Sequence, residues 1–301
     1  MDVMASIQFG QLVDQTYDVL PSDLTNSAGK VLTAGGTNYT VVTTIYANDL
    51  ATDMNPSRAN DTVSIGLICQ AAAGDAVIMI RGTEGTLEWI HDAEFLTVPC
   101  PFLVGAGNTE DGFTAMYNSL RTSTAPNSPT VAKAIGSLPF PHPVTSVTVC
   151  GHSLGGSLAT LLSLDLAANS PFRHPAIYTY GSPRTGDPQF ASTFNQVVTQ
   201  SYRIENRLDM VPKLPPTPMY QHVNAPDELT PVRLWPLPPK VLVDFTPSCE
   251  HAIQTYLYLL SLNSGGPVFP LEVSCQPAAT ATGTNAQGNV ALTSTSTKGA
   301  Q

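Results

Sequence analysis

The sequence predicts an α/β fold built on a mostly parallel central sheet with helices on both faces. Three observations carry this. Short apolar, β-branched runs recur along the chain, helix-period segments alternate with them from about residue 144 onward, and their pairing in that order gives strand–helix–strand units. The 301 residues are 42% hydrophobic and only 12% charged, which fits a folded chain with a sizeable core and excludes fibrous and wholly disordered classes. With 22 Gly and 26 Pro, loops are many and rather stiff.

The elements read in order as follows. Phe9, Leu12, Val13, Tyr17 and Leu20 have helical spacing and stop before Pro21, so an amphipathic N-terminal helix is expected. Val41 to Ile45, Val63 to Cys69 and Ala76 to Ile80 read as strands separated by polar turns. Gly112 to Leu120 reads as a helix and Val144 to Cys150 as a buried strand. A helix from Gly155 to Ala168, a strand from Ala176 to Tyr180, a helix from Pro188 to Val198 and a strand from Tyr202 to Glu205 follow. Residues 212–239 hold nine prolines and are expected to form a long, stiff surface loop without long helices or central strands. A last helix begins with His251 and continues through Ile253, Tyr256, Leu257 and Leu260. Residues 1–277 are therefore expected to form one domain, and the Ala/Thr/Ser/Gly-rich stretch 278–301 a flexible tail.

Thirteen basic against 23 acidic residues give a net charge of −10, so no basic cluster is present to neutralise a phosphate backbone and nucleic acid is excluded as a partner. No apolar run approaches the ~18 residues of a membrane span, and Met1-Asp2-Val3-Met4 lacks the basic and apolar regions of an export signal. That start points to the cytoplasm for the chain as encoded, and to the exterior only if it is a processed form. The five cysteines show no metal-ligand spacing, so no metal or other cofactor is expected. Cys249 and Cys275 are a candidate bridge, which leaves the redox compartment open.

Chemistry concentrates between the strand ending at Cys150 and the helix starting at Gly155. There Gly151-His152-Ser153-Leu154-Gly155 forms a G-x-S-x-G nucleophile elbow, in which glycines on both sides allow a tight strand-to-helix turn that lifts the serine above the sheet. A serine hydroxyl needs a base, and the base needs an orienting acid. In this architecture both follow the serine, with the histidine last. His174, next to Pro175 and close after the nucleophile helix, reads as a surface residue. His222 lies in the proline-rich loop, while His251 follows every candidate acid and is the favoured base. Among the acids, Asp165 sits mid-helix, and Asp187 has a sufficient explanation as an N-cap before Pro188. Asp209, after the second strand beyond the elbow, is the favoured acid. The amide of Leu154 is one expected oxyanion donor, and Thr83, in Ile80-Arg81-Gly82-Thr83, is the second.

These motifs, together with Trp89-Ile90-His91-Asp92, Gly112-Phe113, Gly181-Ser182-Pro183-Arg184-Thr185-Gly186-Asp187 and Asn206-Arg207-Leu208-Asp209-Met210-Val211-Pro212, resemble those of the class 3 lipases across about residues 40–262. The resemblance implies an α/β-hydrolase fold, a Ser153–Asp209–His251 triad and an oxyanion hole at Thr83 and Leu154. It further implies that Asp92 orients Thr83, the other reading being a helix-start carboxylate. The segment from Glu84 to about Ala93 resembles the family's lid, with Leu87, Trp89 and Ile90 apolar and Glu84, Glu88 and Asp92 polar; a fixed helix with Trp89 in the core is the alternative. The chain departs from the family at Glu110, where a histidine is usual, and in lacking an evident secreted-type disulfide pattern.

The implied activity is carboxylic ester hydrolysis, foremost of triacylglycerol at an oil–water interface by a monomer. Phospholipase A1 and feruloyl-type esterase are the neighbouring readings, and a non-catalytic lipase-like binding module is the reading of a different class. The run of six carboxylates and no Lys or Arg from Glu84 to Asp111 predicts a negative cleft mouth that disfavours anionic lipid surfaces.

Overall fold

The computed structural model describes residues 1–49, 61–82, 95–233, 240–262 and 264–277. Its centre is an eight-stranded sheet in the order β1-β2-β3-β4-β7-β8-β9-β10. These strands are β1 (Val31–Ala34), β2 (Thr37–Asn48), β3 (Thr62–Ala71), β4 (Asp75–Ile80), β7 (Ser146–His152), β8 (Ala176–Tyr180), β9 (Gln200–Asn206) and β10 (Pro226–Leu229). The first four pair antiparallel, and from β4 onward every pairing is parallel. A short hairpin of β5 (Thr97–Pro99) and β6 (Asn108–Glu110) stands apart.

The central parallel strands β4, β7 and β8 are buried on both faces over nearly their whole length, as their largely apolar sequences require. One core layer packs α2 (Asp111–Ser119), α3 (Leu154–Asn169) and α4 (Pro188–Val197) against the sheet through Phe113, Leu158, Leu162 and Phe190. The other packs α1 (Val3–Val19) and α6 (Ile253–Ser261) through Leu12, Val13, Tyr256 and Leu260. Asp2 caps α1 by accepting from the Met4 and Ala5 amides at 2.9 and 3.2 Å, so the helix starts six residues before its first expected apolar position, Phe9.

Two expectations change. The proline-rich stretch is not all loop: Pro226–Leu229 adds a parallel strand on β9. It does so at the sheet edge and with proline in the first position, where the missing N–H removes least from the ladder. His251 does not begin the last helix but ends a five-residue one, α5 (Pro247–His251). The Thr255 amide bonds to Ala252 instead of His251, whose carbonyl oxygen lies 2.7 Å from His152 Nε2, so the helix breaks at Ala252. Cys249 and Cys275 form a disulfide tying α5 to the turn at Val273–Cys275; Cys69, Cys100 and Cys150 are buried thiols. No helix among the described residues is long and apolar enough to cross a membrane.

Candidate active site

Strand β7 ends at His152 and α3 starts at Leu154, leaving Ser153 as the entire turn. Its φ of +60° is a conformation that non-glycine residues rarely adopt, and it is retained because neighbours on both sides allow no slack. A Cβ on Gly151 would stand 2.2 Å from the Gly155 carbonyl oxygen, and one on Gly155 would stand 2.2 Å from that of Ile80. The glycines thus let the strand, turn and helix close up, and the Ser153 amide donates to the Tyr180 carbonyl at 2.9 Å. Leu154 opens α3, where the first amides of a helix have no partner within it and its dipole favours negative charge.

The loop after β9 and the end of α5 bring two further groups to this serine. His251 Nε2 lies 2.7 Å from Ser153 Oγ, and His251 Nδ1 lies 2.6 Å from Asp209 Oδ2. Asp209 is 1% exposed, so its charge needs partners in place of water. Its Oδ1 accepts from the Val211 amide at 2.9 Å, and its Oδ2 accepts from the Tyr256 hydroxyl at 2.7 Å. Burial holds the Tyr256 phenol well above its ordinary pKa, so it stays protonated and donates. The carboxylate accepts Nδ1–H, which leaves Nε2 free to receive the serine proton.

The competing residues are occupied elsewhere. His222 Nε2 bonds to the Pro212 carbonyl at 2.5 Å and faces Glu205 at 3.3 Å, and burial pushes its pKa down to about 3. His174 is exposed. Asp187 caps α4 through the Phe190 amide at 2.8 Å and also accepts both Asn108 donors at 2.9 Å. Asp165 accepts from the Tyr117 hydroxyl at 2.5 Å and Asn169 at 2.7 Å.

Thr83, Glu84, Leu87, Trp89, Ile90 and Asp92 lie outside the described residues, as do Glu88, Glu94 and the tail 278–301. Glu110 leaves the expected acidic mouth: it is 3% exposed and caps α2, accepting from the Phe113 amide at 2.6 Å. Among the described residues no His/Cys/Asp/Glu group is arranged to hold a metal ion.

Sequence reasoning missed Tyr256 and Tyr17. Both sit in apolar helix patterns and pass there for packing residues, yet a phenol turned into a core needs a partner for its hydroxyl, and that requirement is the signal. His152 precedes the serine, so chain order excludes it as the base. It is buried with its ring 4.7 Å from that of His251.

An α/β-hydrolase sheet with a serine on its strand-to-helix elbow, bonded to a histidine and through it to a carboxylate, has the arrangement of the serine hydrolases. Residues 77–219 match the family Lipase (class 3). The segment includes Ser153 and Asp209 but ends before His251. Phospholipase A1-II 7 of Oryza sativa subsp. indica is 28% identical, over 72% of this chain and 68% of its own length. Secreted mono- and diacylglycerol lipase 1 of Fusarium solani is 30% identical over 51% of this chain, which spans 43% of that relative. A Rhizomucor miehei lipase in complex with its propeptide shares the fold with a TM-score of 0.54, at 21% identity over 86% of this chain and 78% of that one.

Proposed function

We propose that the protein hydrolyses acylglycerol esters at an oil–water interface, as a monomer, through an acyl-enzyme on Ser153. The observation that carries this is the Nε2–Oγ contact of 2.7 Å on a strained elbow, backed by a buried carboxylate. In this reading His251 takes the Ser153 proton as Oγ attacks the ester carbonyl, and Asp209 stabilises the imidazolium that forms. The Leu154 amide, with Thr83, receives the oxyanion. His251 then protonates the leaving alcohol, and water, deprotonated by the same histidine, releases the acid. On the resemblance alone, Asp92 orients Thr83 and the segment containing Glu84, Leu87, Trp89 and Ile90 covers the cleft until it meets lipid.

A second reading, phospholipase A1, is favoured by the rice relative's name and by its match to nearly three-quarters of the chain. The test compares emulsified tributyrin, phosphatidylcholine vesicles and soluble p-nitrophenyl butyrate, each above and below its solubility limit where it has one. The acylglycerol reading expects fastest turnover on the emulsion, with a rate step as droplets form. Faster release of the sn-1 acid from phosphatidylcholine would make phospholipase A1 the better description.

A further inference from the structure

Beside the serine array runs a second hydrogen-bonded chain that the hydrolytic steps do not use. The Gly82 amide donates to the Tyr17 hydroxyl at 2.9 Å, and that hydroxyl lies 2.7 Å from His152 Nδ1. On the other side of the ring, His152 Nε2 lies 2.7 Å from the main-chain oxygen of His251. A carbonyl oxygen only accepts, so Nε2 carries the ring proton; in a neutral imidazole Nδ1 is then an acceptor, and Tyr17 donates to it. Every bond in the run therefore has one direction. Burial and the neighbouring His251 keep His152 well below its ordinary pKa, and burial pushes Tyr17 up to about 12, so neither proton is readily lost or gained.

The three groups joined in this way come from segments that the chemistry needs in register. Gly82 follows β4 and immediately precedes Thr83 in the chain. His152 is the residue before Ser153, and His251 supplies both the carbonyl and the imidazole facing Ser153 Oγ. Tyr17 reaches the site from the last turn of α1, an element that otherwise covers the sheet.

We propose that Tyr17 and His152 are positioning residues for ester hydrolysis, holding the Gly82 end of β4, the elbow and the His251 main chain in one geometry through this directed run of hydrogen bonds. The inference rests on Ser153, His251 and Asp209 acting as the triad. Neither residue touches the reacting atoms. Their effect comes through distance: a displacement of about 1 Å in a group aligned for attack costs about 100-fold in rate.

The test is steady-state hydrolysis of p-nitrophenyl butyrate by the full chain, with kcat normalised to folded protein by circular dichroism. Tyr17→Phe keeps the ring that packs edge-on to His152 at 6.0 Å and beneath Arg81 at 5.7 Å, and removes only the hydroxyl. His152→Gln keeps an N–H donor for the His251 carbonyl and removes the ring nitrogen that faces Tyr17. Each single variant is expected to lose about 10- to 100-fold in kcat with KM within about twofold. The double variant is expected to fall far short of the product of the two losses, since both break the same run. Retention of wild-type kcat by Tyr17→Phe alongside a lower melting temperature would overturn the proposal and leave a purely structural contact, and so would multiplicative losses in the double variant. If Tyr17→Phe does not fold, His152→Gln decides alone by the same kcat criterion. Equal rates for wild type and Ser153→Ala would instead remove the triad reading and this inference with it.

Discussion

At the residue scale, three histidines follow the serine in the chain, yet one of them can serve it. His251 has a ring nitrogen within hydrogen-bond reach of Ser153 Oγ on one side and a buried carboxylate on the other. His222 spends its Nε2 on the Pro212 carbonyl and sits beside Arg203, which together with burial disfavours its charged form. Ser153→Ala and His251→Ala are each expected to reduce kcat by about 10⁶-fold, because triad members act as a unit. His222→Ala is expected to stay within a few-fold of wild type while lowering stability by about 1–3 kcal/mol, the cost of leaving a buried carbonyl unpaired. Ester hydrolysis and urea unfolding on the same preparations check both statements; a loss from His222→Ala as deep as from His251→Ala would reassign the base. The two neighbouring aspartates separate in the same way. Asp187→Ala removes a cap and two bonds from Asn108, so about 2–3 kcal/mol of stability should go with kcat per folded molecule unchanged, whereas Asp209→Ala should remove turnover.

At the element scale, what was legible depended on whether a local pattern decided the outcome. The buried strands around the elbow are continuous apolar runs, and the elbow's glycines are dictated by contacts of 2.2 Å, so both stand out in the sequence. The clustering of Ser153, His251 and Asp209 was legible for the same reason: chain order and the caps that explain Asp187 leave Asp209 and His251 as the groups expected beside the serine. Pro226–Leu229 was not legible, since its strand state comes from the free edge of β9 and not from its own residues. The break at Ala252 was hidden because the competitor for the His251 carbonyl is His152, 99 residues earlier. That break places His251 at the end of a five-residue helix too short to hold itself, anchored by the Cys249–Cys275 disulfide two residues upstream. Closing a loop with a sequence separation of 26 is worth about 3.5 kcal/mol in the chain-entropy treatment. Cys249→Ser with Cys275→Ser is therefore expected to lower unfolding free energy by about that amount. It should also lower kcat more than a destabilised variant remote from the site. An unchanged kcat per folded molecule would show that α5 holds its place without the bridge.

At the scale of the whole molecule, burial has left several titratable groups away from their ordinary values, and their effects on stability oppose one another. Glu110 is raised to about 7 by burial and Asp14 to about 6, chiefly by burial with Asp18 adding repulsion. Both carboxyls bind a proton more tightly folded than unfolded, so the stability they contribute is present at low pH and is lost as pH rises through their folded values. His222 is depressed to about 3, again by burial first, so it has the opposite sign: the folded state gains relative to the unfolded as pH rises from about 3 toward 6.5. His152 acts in the same direction. Between about pH 4.5 and 6 these slopes oppose each other, and the total pH dependence hides each part. Glu110→Gln isolates one of them, since glutamine keeps an oxygen to cap the Phe113 amide and carries no titration. The stability of the variant minus that of wild type should stay constant below about pH 4.5 and then grow in the variant's favour up to about pH 7. The growth should reach about 3 kcal/mol, from 1.36 kcal/mol for each pH unit between the unfolded value of 4.5 and the folded value of about 7. Urea unfolding of the pair at pH 4, 5.5, 7 and 8 measures it. A difference that does not change across that range would mean that Glu110 is ionised at its helix cap well below pH 7, with the charge held by the Phe113 amide and the start of α2 against the cost of burial.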